Sequence, residues 1–308
     1  MSDTAPIYTK ITIVGAGLIG SSVARAARHY GAADHIAIAD ANEDVLAEAK
    51  SLGIADSYSP SIPVAVADAD MVLMAVPVGA MASVAAAAAP ALKPGATVSD
   101  VGSVKSSVLS AVKPILPDTI HLIPGHPVAG TEQSGPAAGF ATLFDGRWCI
   151  LTPPEDADPE ALNALAAFWS RLGSTVEQMT ADHHDLVLAI TSHVPHLIAY
   201  NIVGTANDLE TVTRSEVIKY SAGGFRDFTR IAASDPTMWR DVFLNNKEAV
   251  LEMLGRFNED LTALQRAIRW GDGDALFDLF TRTRDIRRRI IDAGQDEDEV
   301  DFGRPHEE

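Results

Sequence analysis

The sequence is short of cysteine, of cations and of long apolar runs. Among 308 residues Cys149 is the only cysteine, so no internal disulfide can form, and a reducing cytoplasm is the expected setting. Lys and Arg number 24 against 42 Asp and Glu, a formal net charge of -18. That balance argues against partners made of nucleic acid and against anionic membrane surfaces. An anionic ligand would have to be drawn by a local basic patch. The longest apolar stretch read from the sequence, near Ala80–Ala91, is alanine-rich and too short to span a bilayer. Met1–Lys10 has no apolar core of useful length, so no signal peptide is expected. No internal repeat is visible.

What is present is apolar enough, at 47%, to fill two cores. Ile11–Val14 reads as a β-branched strand that runs into Gly15-Ala16-Gly17-Leu18-Ile19-Gly20 and then into an alanine-rich helix ended by Gly31. In such a GxGxxG turn the first glycine makes the bend. The second lets a pyrophosphate approach the backbone, and the third lets helix and strand close up. The helix amino end then offers free N–H groups to phosphate. A second strand, His35–Ala39, ends at Asp40, twenty residues past Gly20, where a carboxylate can hold the ribose hydroxyls of NAD and repel the extra phosphate of NADP. Gly15, Gly17, Leu18, Ile19, Gly20 and Asp40 are therefore the candidate cofactor residues. Val76 and Pro77, which close the apolar strand Met71–Val76, join them. Asn42 reads as the cap of the next helix.

The α/β alternation continues through strands at Thr97–Val101, Ile120–Ile123, Trp148–Leu151 and Thr175–Met179, with a helix over Asp158–Leu172. From Ala181 the strand signal stops. Helical patterns cover Asp182–Thr205, Leu209–Ser221, Pro236–Trp270 and Asp274–Ala293. The fold class is thus α/β: a doubly wound Rossmann-type sheet in residues 1–179, then an all-helical domain in 180–294. An acidic tail, 295–308, follows and is expected to be mobile. The helices carry apolar residues on several faces, which calls for a second chain, so a homodimer is expected.

Three polar segments interrupt this pattern. GHPVAGTEQSG from Gly125 is too polar and too bendable for a buried strand, which places His126 where a strand end opens into a loop. There an imidazole can act as general base. Ser103 follows the strand ending in Asp100-Val101 and reads equally as a helix cap or a site residue. In Ser192-His193-Val194-Pro195-His196 the histidines are three apart, but no third ligand is evident, so no metal is expected. In Gly223-Gly224-Phe225-Arg226-Asp227-Phe228-Thr229-Arg230 the arginines suit carboxylate recognition or simply face water.

Taken together, GAGLIG from Gly15, DVGSVK from Asp100, GHPVAGTEQSG from Gly125, SHVPH from Ser192 and GGFRDFTRIAASDPTMW from Gly223 resemble the prephenate/arogenate (cyclohexadienyl) dehydrogenase family. The resemblance implies NAD-dependent oxidative decarboxylation of a cyclohexadiene acid, with His126 as base and Ser103 orienting it. It makes Arg230 the holder of the ring carboxylate. His196, Thr131, Gly223 and Trp239 become pocket residues, with Arg226 at a variable position. Glu132 and Asp227 become ion-pair partners at the entrance. Two other readings stay open: a β-hydroxyacid or imine-reducing dehydrogenase of similar plan, and a non-catalytic NAD-binding sensor.

Overall fold

The structure is a computed structural model that describes residues 5–213 and 222–292. The expected acidic tail and most of the helix expected over 209–221 lie outside the described residues. By compactness the chain divides into two units, Met1–Ile198 with Ile231–Val250, and Ala199–Arg230 with Leu251–Glu308. The change from strands to helices near residue 180 and the change of unit at residue 198 therefore do not coincide.

The first unit is built on six parallel strands: β1 Tyr8–Val14, β2 Ala33–Ala39, β3 Ser57–Ser59, β4 Met71–Met74, β5 Thr97–Asp100 and β6 His121–Leu122. Their order is β3-β2-β1-β4-β5-β6. This is the doubly wound arrangement, in which the strand order reverses between β1 and β4, and ligands bind outside the carboxyl ends at that point. Val14 pairs in register with Ala39 on one side and Met74 on the other, so these strand ends lie level. All four residues of β4 are buried, as a strand covered on both faces requires. β3 is three residues long and half-buried, and no sequence signal announced it.

Helix α1, Leu18–His29, lays Val23, Ala24, Ala26 and Ala27 against one sheet face. That core continues through Phe144, Phe168 and Trp169. The opposite face packs Val72, Met74, Met81, Ala85 and Val98. Asn42 caps α2, Glu43–Ser51, by accepting from the backbone N–H groups of Asp44 and Val45, as its position predicted.

Two strands expected in the main sheet form a separate one. β8, Trp148–Leu151, lies between β7, Gly125–Pro127, and β9, Thr175–Gln178. β7 corrects the sequence reading: His126 is in a buried strand, opposite Ile150. A strand this polar is tolerated because it is an edge strand, where Pro127 needs no ladder N–H.

Helix α7, Ala181–Leu188, passes through a π-helical turn, Ala189–His193, into α8, Val194–Thr213. Pro195 supplies no backbone N–H just beyond the wide turn. The run Ala181–Asp208 is longer than the alanine-rich stretch singled out above, with a mean hydropathy of 1.5 over its most apolar window. It nevertheless carries His184, Asp185 and His193 as buried, hydrogen-bonded groups, all three in its part within the first unit.

The helix expected over 236–270 is two: α10, Pro236–Asn245, in the first unit, and α11, from Lys247 to Trp270. Asn246 leaves the helical conformation between them, and its side chain is committed elsewhere. The second unit holds α9, Gly223–Thr229, and α12, Gly273–Asp292, along with parts of α8 and α11.

Candidate active site

The turn after β1 has the shape its glycines call for. Gly15 has φ +102°, and a Cβ there would lie 2.3 Å from the carbonyl oxygen of Ala75. A Cβ on Gly20 would lie 2.0 Å from the Gly15 carbonyl oxygen. Gly17 is different: a Cβ there would meet nothing within 4 Å. Two glycines are thus forced by packing, and the middle one faces open space at the amino end of α1, where a pyrophosphate fits. Leu18 and Ile19 open that helix. Asp40 closes the turn by accepting from the Ala16 N–H at 2.9 Å, and its other oxygen accepts from Asn42 at 2.9 Å. Val76 borders Gly15, and Pro77 leads into the short helical turn after β4. The observed geometry fits a dinucleotide.

His126 is 7% exposed, and its Nδ1 lies 2.8 Å from Nε2 of His184. His184 Nδ1 in turn lies 2.8 Å from Oδ1 of Asp185. The Asp185 carboxylate accepts from the backbone N–H of Lys105 at 2.8 Å and of Ser106 at 2.9 Å, and so ties α7 to the start of α5, Ser106–Val112. Below this lies a buried ion pair between Lys105 and Asp100, both with fully buried side chains. Burial pushes the His126 imidazole well below its ordinary pKa, and neighbouring His184, Lys105 and His193 add to the effect. The same burial lowers His184, against the pull of Asp185. A histidine kept neutral this way is free to accept a proton.

The family resemblance gave Ser103 the task of orienting His126. In the structure His184 meets Nδ1 of His126, and the backbone of Ser103 lies beside His193. His184 and Asp185 were the missed residues. Their signal was the Asp-His-His-Asp run inside a helix, four consecutive polar residues where one face should be apolar. Lys105 was within reach too, as the last residue of the DVGSVK segment.

The remaining candidates fall in two groups. His196 stacks on Trp239 with ring centroids 3.7 Å apart and planes 24° apart, both inside the first unit. Thr131 and Glu132 are exposed in the loop after β7; Thr131 accepts from the Gln133 N–H at 3.2 Å. That loop passes the dinucleotide turn, since a Cβ on Gly130 would come 4.0 Å from the Ile19 side chain. Gly223, Arg226 and Asp227 lie on α9, with Arg230 just after it, in the second unit. There the Asp227 carboxylate folds back to 3.8 Å from where a Cβ of Gly223 would be.

Comparison with known proteins agrees with this geometry. Residues 23–178 match the prephenate dehydrogenase nucleotide-binding domain, and residues 180–282 match the prephenate dehydrogenase dimerization domain. A cyclohexadienyl dehydrogenase of Zymomonas mobilis is 44% identical over 281 residues, which is 91% of this chain and 96% of that protein. A prephenate dehydrogenase of Bacillus subtilis is 31% identical over 90% of this chain and 75% of its own. Among solved structures, prephenate dehydrogenase from A. aeolicus in complex with hydroxyphenyl propionate and NAD+ superposes with a TM-score of 0.86. It is 34% identical over 94% of this chain and 100% of that one. Synechocystis arogenate dehydrogenase superposes with a TM-score of 0.76 at 25% identity, over 91% and 99% of the two chains. A glycine turn shaped for a dinucleotide, a neutral buried histidine in the first unit and these matches along both halves lead to one assignment: the chain belongs to the prephenate dehydrogenase family.

Proposed function

We propose that this chain is an NAD-dependent dehydrogenase that converts prephenate to 4-hydroxyphenylpyruvate, with arogenate as a second substrate. The observation that carries the reading is the buried, neutral His126, on a strand whose following loop passes the dinucleotide turn. Bound NAD supplies the hydride acceptor, held by the Gly15–Gly20 turn and the Asp40 carboxylate. His126 accepts the ring hydroxyl proton as the carbonyl develops. The ring carboxylate leaves as carbon dioxide, and the ring becomes aromatic. No further electron sink is required, because aromatisation itself drives the loss.

In this reading Arg230 holds the ring carboxylate through a guanidinium fork. By the family resemblance, His196, Trp239 and Thr131 of the first unit and Gly223 and Arg226 of the second are substrate-binding residues, Glu132 and Asp227 are ion-pair residues, and Ser103 orients His126 beside the nicotinamide. Residues 1–179 serve as the cofactor domain and 180–294 as the substrate and dimer domain. Prephenate is preferred because a buried ammonium, which arogenate would bring, needs a carboxylate partner, and Asp227 and Glu132 are assigned to ion pairs.

A homodimer follows from the apolar residues that a single chain leaves exposed on the last two helices. Ile268, Trp270 and Phe277 are 68%, 75% and 69% exposed. The enzyme would work in the cytoplasm.

The test is NADH formation with prephenate and with arogenate, each with NAD and NADP, alongside light scattering. The expected result is turnover of prephenate with NAD by a dimer. A tenfold higher kcat/KM for arogenate would reverse the substrate order. NAD binding with no turnover of either acid would favour a sensor.

A further inference from the structure

The contacts around His184 specify more than the position of His126. Asp185 accepts two backbone N–H bonds, from Lys105 at 2.8 Å and from Ser106 at 2.9 Å. Burial works to raise its pKa, but His184 and these two amides outweigh it and hold the carboxyl below its ordinary range. An ionised carboxylate has no proton to give, so the 2.8 Å contact with His184 Nδ1 requires the proton to sit on that nitrogen. A neutral imidazole carries one N–H. His184 Nε2 is therefore bare and can only accept. The atom it meets at 2.8 Å, His126 Nδ1, must then be the donor. That leaves His126 Nε2 with its lone pair free.

We infer that His184 is a positioning residue which, under the charge of Asp185, holds His126 in the Nδ1–H tautomer and so exposes Nε2 as the base of the reaction proposed above. The inference rests on that reading for the task of Nε2, but the tautomer itself is a property of the protein alone. The charged and titratable groups facing this pair come from four elements, one of them β8, where the Cys149 thiol meets the His126 backbone. Lys105 and Asp100 lie at and beyond the end of β5, Asp185 is on α7, and His193 is in the π-helical turn. Lys105 and Asp100 already pair with each other, so among the described residues Asp185 is the carboxylate bonded to the histidine chain.

Removing the carboxylate makes a directional prediction. In Asp185→Ala no acceptor holds the proton on His184 Nδ1. His184 can then carry its proton on Nε2, His126 accepts at Nδ1, and its own proton moves to Nε2, where it blocks the base. His184→Gln keeps an acceptor carbonyl opposite His126 Nδ1, whereas His184→Leu removes it.

The experiment uses the full chain labelled with ¹⁵N-histidine. Side-chain correlation spectra at neutral pH should show His126, assigned by its absence in His126→Asn, as the Nδ1–H tautomer. Asp185→Ala should shift that signal toward Nε2–H. It should lower kcat by about 10²–10⁴, the scale of general-base help, with the Kd for NAD changed less than about threefold. His184→Leu should lose about as much, and His184→Gln should stay within about tenfold of the native enzyme.

An Nε2–H signal for His126 in the native protein overturns the inference whether or not any variant folds. So does more than half the native kcat in a folded His184→Leu protein. If His126→Asn itself keeps more than half of kcat, the assignment of His126 as base fails, and the spectra still decide the tautomer.

Discussion

Lys105 Nζ donates to the carbonyl oxygen of Gly125 at 2.6 Å while it pairs with Asp100. One buried cation thus ties the end of β5 to the residue before His126. Burial lowers the Lys105 ammonium and raises the Asp100 carboxyl, and each charge opposes the other's shift. Lys105→Met would leave Asp100 buried without its partner, at a cost of about 3–5 kcal/mol. Denaturant titration should show this loss, and Asp100→Asn combined with Lys105→Met should recover part of it. A Lys105→Met protein as stable as the native one would mean that the pair contributes nothing.

Asp40→Ala should weaken NAD and narrow the preference over NADP. The carboxylate also closes the glycine turn through the Ala16 N–H, so some loss of affinity should appear for both cofactors. The ratio of the two kcat/KM values isolates the charge effect. An unchanged ratio would take Asp40 out of cofactor discrimination.

The acid limb of kcat/KM should fall below pH 6.5. His126 works as a base only while unprotonated, and burial, His184, Lys105 and His193 all hold its pKa well below 6.5. Stability should move with pH as well. Below 6.5 the unfolded chain takes up protons that the buried histidines refuse, so the fold loses stability as pH falls. For His193, held at about 4, the window runs from 6.5 down to that value. Denaturation midpoints across the range check the sign; midpoints that rose on acidification would contradict it.

Arg230→Gln should act mainly on KM. A pair with a carboxylate exists before any bond breaks, and that carboxylate departs as a neutral molecule, so tighter grip at the transition state would oppose the reaction. A loss of about 2–4 kcal/mol in kcat/KM is expected from removing one partner of a desolvated charge pair. Steady-state kinetics that showed normal KM and a collapsed kcat would give Arg230 another task.

The parts legible in the sequence were those written in short-range rules. The GxGxxG turn, the Asn42 cap and the unbroken apolar run of β4 each follow from neighbours a few residues apart. What escaped depended on distant partners. β7 looked unlike a strand because its hydrogen bonds come from β8, more than twenty residues on. The break at Asn246 was invisible because the reason for it lies in the Asp185 carbonyl, which its side chain reaches at 2.8 Å. His184 was one of several histidines on a helix until the fold set it against His126.

The wide turn at Ala189–His193 makes this helix sensitive to length in a way that ordinary helices are not. Each residue of an α-helix advances the chain by about 100°. A single-residue deletion that restored regular winding there would swing His193 and His196 around the axis relative to His184 and Asp185. It would also part His193 from Asn246, which spans the turn to both His193 and Asp185. The angular phase between two groups of polar side chains therefore hangs on one inserted residue. Across divergent relatives, substitutions in this segment should be tolerated far more readily than changes in its residue count.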